Sequence, residues 1–191
     1  MDKSGLKKLL DYVDATRQKR TLMAERILEN PEWIPILMQI IEEDQDPFSS
    51  KASWVLEFVV KKDLELVLPH LEKFSQFLAK ISLDSSVRPV AKICELLSIQ
   101  YFAQTSNPTQ IHMTEKHLRK ITEAAFDWVI GDHKVAAKAY SMTTLFLLGK
   151  KYHWIHPELK VVLMQNYTTG SAAYKARAGK ILDQIKKMEC S

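Results

Sequence analysis

An all-α chain built from stacked helical pairs is what these 191 residues predict, and three observations predict it. Five glycines and seven prolines are too few for the turns that many short strands or a glycine-rich phosphate loop require. Apolar residues recur at spacings of three and four through most of the chain, the period of an amphipathic helix. An alanine-centred pattern also returns four times at the period of a helical pair. With 46% hydrophobic and 26% charged residues, the composition is that of a single globular domain over 1–191 rather than a disordered chain.

The elements follow in order. Leu6 to Leu28 predict one or two helices, broken near Asp14 to Thr16, and residues 1–30 then cap the N-terminal end. Four helical pairs fill 31–188. Each opens with an amphipathic A segment: Trp33 to Ile41, Leu64 to Ile81, His117 to Ile130 and His156 to Met164. The second is the clearest, with Leu64, Val67, Leu68, Leu71, Phe74, Leu78 and Ile81 on one face and Glu65, His70, Glu72, Lys73 and Gln76 between them.

Each A segment precedes a B helix centred on Ala52, Ala91, Ala139 or Ala178, at spacings of 39, 48 and 39 residues. Phe48, Val87, Val135 and Tyr174 lie four residues before these alanines, and Val55, Cys94, Met142 and Ile181 three after. A small residue in mid-stripe lets the neighbouring helix approach closely, as every layer of a stack requires. Asn30-Pro31 and Asp46-Pro47 read as helix starts, with Asp84 and Asp132 as further N-cap candidates. Gly131, Gly149 and Gly170 fall where helices end. Gln104 to Gln110 is the longest loop and accounts for the longer middle spacing.

Asp84, Val87-Arg88, Ala91 and Leu96-Leu97, with Pro69 and Leu71 in the preceding segment, resemble the repeat pattern of the HEAT/armadillo family of α-solenoids. The other units depart from it, with Ser49, Ala136 and Lys175 standing where Arg88 stands. The resemblance implies a right-handed α-α superhelix of about four pairs plus the N-terminal capping helices, with the second helices lining the concave face. The chain is also dimly similar to short bacterial proteins labelled adenylosuccinate lyase, but the Ser-rich Met-Pro-Lys-Asn loop of that superfamily is missing.

Catalytic signatures are absent by count and spacing. Gly149-Lys150 and Gly179-Lys180 lack the earlier glycine and the following Ser/Thr of a phosphate loop, and there is no H-E-x-x-H, C-x-x-C or G-x-S-x-G. His153, His156 and Glu158 are the best metal constellation, but Trp154 and Pro157 between them favour a packed helix start, so neither a metal nor another cofactor is expected. No signal-peptide core, membrane span or disulfide framework can be drawn, and Cys94 and Cys190 read as free thiols in a reducing cytoplasm.

Charge is informative by segment. The formal total of +4 divides into +2 for 1–30, −5 for 31–71, +1 for 72–110, +2 for 111–150 and +4 for 151–191. Lys51, Lys138 and Arg177 each precede an aligned alanine, and Arg88, Lys92, Lys134, Lys175 and Lys180 lie nearby. Equivalent positions in stacked units form a ladder on one surface, and a solvated helix face carries the same residues for solubility. Trp33 and Trp128 read as packing, and Trp54 as the best groove candidate. Two functions follow as expectations. The first is a non-catalytic scaffold that binds a protein partner. The second is nucleic-acid binding, as implied by resemblance to the HEAT-like branch that excises alkylated bases from DNA.

Overall fold

A computed structural model describes residues 1–189, so the Cys190 thiol lies outside the described residues. Within them the chain is all-helical, with eleven α-helices, three short 3-10 segments and no strand. The helices are α1 (Lys3–Leu10), α2 (Arg17–Glu29), α3 (Ile34–Glu42), α4 (Phe48–Lys62), α5 (Leu71–Phe77), α6 (Asp84–Tyr101), α7 (Pro108–His112), α8 (Glu115–Ile130), α9 (Val135–Leu148), α10 (Ile155–Gln165) and α11 (Ala172–Glu189).

Two layers result. Helices α2, α4, α6, α9 and α11 lie side by side in that order, while α3, α5, α8 and α10 follow one another in the second layer. The apolar stripes meet between them in one continuous core that includes Leu37, Ile41, Val55, Val59, Leu97, Ile121, Leu145 and Leu159, all fully buried. At roughly 25 cal/mol per Å² of apolar surface removed from water, this burial is the main force holding the layers together.

The alanine stripe is buried at Ala52, Ala91 and Ala178. In the third unit the buried small residue is Ala137, and Ala139 is only half-buried. Segment 64–81 is not one helix: a 3-10 turn over Glu65–His70 precedes α5, and another over Leu78–Lys80 follows it. Pro69 supplies the physical reason, because it has no N–H to donate and its ring crowds the preceding turn. The 104–110 loop contains the start of α7, closed by a capping box between Asn107 and Gln110.

Asp84 and Asp132 do not serve as N-caps. The Ser86 and Val87 amides bond to the Leu83 carbonyl, so α6 begins one residue earlier than expected, and α9 starts after Lys134. Asp46 likewise stands outside the cap, which is Pro47, and its carboxylate accepts from the Ser50 hydroxyl. Gly131 and Gly149 do end α8 and α9, but with negative φ. At Gly149 the requirement is space, because a Cβ would fall well inside contact with the His156 ring.

Candidate functional site

The face made by α2, α4, α6, α9 and α11 carries two glutamates that sequence reasoning missed. Glu57 stands in the apolar run Val55-Leu56-Glu57-Phe58-Val59-Val60, and its side chain is 1% exposed at the seam between α4 and α6. Its carboxylate accepts from Arg88 Nη2 at 2.8 Å and from Lys61 one turn along α4. Arg20 of α2 lies close by, with its guanidinium 5.8 Å from the Trp54 ring centroid and 5.2 Å from that of Phe58. Burial, and next the charge of Arg88, lower the pKa of Arg20.

Glu95 repeats the arrangement one seam further on. Its side chain is 5% exposed and accepts from Lys92 Nζ at 2.6 Å and from Arg177 Nη2 at 3.2 Å. Arg177 reaches it from α11 past α9, donating also to Thr143 Oγ1 at 2.8 Å and to the Ala139 carbonyl at 3.4 Å. Lys92 sits 4.8 Å from the Tyr140 ring centroid.

A buried carboxylate is costly unless its lone pairs are filled by charged donors. Both carboxylates meet that condition, and the cations they hold stay partly open to solvent at 29%, 22% and 33% for Arg88, Lys92 and Arg177. Each cluster therefore has more cations than carboxylates and presents them in fixed positions.

The nine residues singled out from sequence do not form one row. Arg88, Lys92 and Arg177 belong to the two clusters above. Lys51 and Trp54 share a separate cleft of about 590 Å³ at the N-terminal end. There Lys51 donates to the Asp11 carbonyl at 2.6 Å, and the Trp54 indole N–H is committed to the Ser85 carbonyl at 2.9 Å. Lys175 and Lys180 line another shallow cleft of about 550 Å³ with Tyr167 and Asp183. Lys134 is exposed just before α9, and Lys138 is half-buried on it.

The acidic block of the first pair is largely consumed internally. Glu42 pairs with Lys80 at 2.6 Å, and Glu43 with both Lys3 and Lys7 at 2.5 Å. Asp44 accepts from the Ser82 hydroxyl and amide at 2.6 and 2.9 Å. The hydrogen bonds from Lys3 and Lys7 hold the Glu43 carboxyl below the usual range. The −5 read from the segment is therefore not an open acidic patch.

The tryptophans divide as expected at Trp128, which is buried, and at Trp33, which packs partly buried against the core. Trp154 contradicts the packing expectation. It is 56% exposed and stacks on Phe126 of α8, because it stands just before α10 rather than within a packed helix. His156 bonds through Nε2 to the Phe146 carbonyl at 2.8 Å and stacks on the Phe146 ring. Among the described residues no group of three His, Cys, Asp or Glu side chains is placed to hold a metal ion, and no helix is long and apolar enough to cross a membrane.

No protein-family model matches the chain, and no curated protein or solved structure does either.

Proposed function

We propose that the chain is a non-catalytic α-solenoid scaffold of the HEAT/armadillo type, a right-handed α-α superhelix, that holds a protein partner on its α4–α6–α9–α11 face in a reducing cytoplasm. The observation that carries this reading is that Glu57 and Glu95, the two buried carboxylates of that face, are both spent on holding cations. A carboxylate locked in two ion pairs is a poor general base or nucleophile. The same pairs fix Arg88, Lys92 and Arg177 as posts for an acidic partner segment, so less side-chain freedom is lost when that segment binds.

The test is cross-linking of native complexes followed by neutralisation of two of these posts, Arg88→Met and Lys92→Met, which leaves Glu57 with Lys61 and Glu95 with Arg177; thermal melts check that the variants remain folded. Cross-links on α4, α6 and α9, lost in R88M/K92M, are expected. Cross-links confined to the other layer, or a complex indifferent to both substitutions in the folded variants, would refute the reading.

A second reading, nucleic-acid binding, draws on the excess of cations over carboxylates on this face and on the +4 of residues 151–191. Duplex DNA should then bind with affinity that falls steeply with salt, since each neutralised phosphate releases counterions. Absence of binding at low salt removes this reading. A base-excising activity would also need a carboxylate free to act, and both candidates on this face are paired.

A further inference from the structure

Helix α8 turns its outer side away from the face just described. Glu115, Arg119, Glu123, Phe126 and Asp127 follow one another along that side, and with Tyr152 and Trp154 from the α9–α10 connection they line a cleft of about 820 Å³. The Phe126 and Trp154 rings stack with centroids 5.8 Å apart and planes 18° from parallel, so one indole face is packed while 56% of the residue stays in solvent.

The charges along the cleft differ from end to end. At the start of α8, Glu115 is engaged by Lys151 and by the Tyr152 hydroxyl. Burial, and then Glu115 itself, push that hydroxyl up to about 12. Arg119 stands between the two ends, where its charge helps to lower the Glu115 carboxyl. Two turns beyond Glu115, beside the aromatic pair, Glu123 lies 4.0 Å from the exposed Lys120, and Asp127 carries no ion pair among the described residues. The open aromatic face and the least-satisfied carboxylates thus coincide.

We infer that this cleft is a docking surface for an arginine-bearing extended segment of a partner protein, with the guanidinium on the open face of Trp154 and its N–H groups on Asp127 and Glu123. Charge complementarity selects the occupant: carboxylates repel a nucleic-acid backbone, while a planar cation both stacks on an indole and donates to carboxylates. The site lies in the second helix layer and is independent of the proposal for the opposite face.

The experiment is a fluorescence-anisotropy titration of the full chain with a labelled pentapeptide alternating glycine and arginine, against the same peptide carrying neutral citrulline. Saturable binding of the arginine peptide, weakened about tenfold or more by citrulline, by W154A and by E123Q/D127N, is expected. All three substituted residues are exposed, and thermal melts confirm that the variants remain folded. Failure of the arginine peptide to bind, equal binding of the citrulline peptide, or unchanged affinity in either variant would overturn the proposal. Displacement of the peptide by duplex DNA would assign the cleft to a different class of partner and overturn it as well.

Discussion

Arg177 donates to Glu95 at 3.2 Å across 82 positions of sequence, tying the last helix to α6 over the flank of α9. Because Glu95 is almost wholly buried while Lys92 and Arg177 are partly solvated, E95Q is expected to cost about 1–3 kcal/mol, the range for stranding partners of a charged hydrogen bond. R177M leaves Glu95 with Lys92 alone and should also destabilise. Urea unfolding of the two single variants and the double variant should show coupling of at least ~0.5 kcal/mol. Additive effects would mean that the pair contributes nothing of its own.

Gly149→Ala should destabilise even though φ there is negative and alanine would ordinarily gain ~0.4–1 kcal/mol by stiffening the unfolded chain. The new methyl would displace the His156 ring and with it the bond to the Phe146 carbonyl, an overpacking cost of about 1–3 kcal/mol. A raised thermal midpoint in G149A would show that the ring moves aside freely.

Cys94 is buried on α6, and burial pushes its thiol well above the ordinary range. In a C190S background, maleimide labelling of the native protein at pH 8 should be at least about a thousandfold slower than in denaturant, because reaction waits for opening of the core. Rapid labelling of the folded chain would place α6 outside the stable core.

His70 ends the 3-10 turn before α5, and burial, then Lys73, lower its pKa. The sign follows from proton counting. Below the ordinary histidine value of about 6.5 the unfolded chain takes up a proton that the folded chain resists, so stability is present above that value and is lost as pH falls. Thermal midpoints should therefore drop between pH 7 and 5.5, and less so in H70Q. An equal drop in the variant would assign the dependence to other groups.

Much of the helical architecture was legible because three-and-four spacing survives wherever a helix is buried on one side only. The alanine alignment erred in the third unit for a local reason: Ala136, Ala137 and Ala139 stand together, and pattern alone cannot say which one turns inward. The break at Pro69 was legible in principle, since a proline within an amphipathic run signals that the ladder is interrupted. Glu57 and Glu95 also left a signal, a lone glutamate in an otherwise apolar stretch.

Their partners left no such trace. That Arg88 serves Glu57 and Arg177 serves Glu95 depends on which helices lie side by side, and no spacing along the chain encodes that. The same holds for the first pair, where Lys3, Lys7 and Lys80 neutralise an acidic block that looks open when counted by segment.

The bond from α11 to α6 has a mechanical corollary. In an array where each helix pair touches only its neighbours, terminal units peel away one at a time. Here α11 is tethered two positions back along its layer, so peeling it away also requires breaking the Arg177–Glu95 bond to α6. Pulled from its ends, the C-terminal half should rupture in one step rather than as a sawtooth of single units.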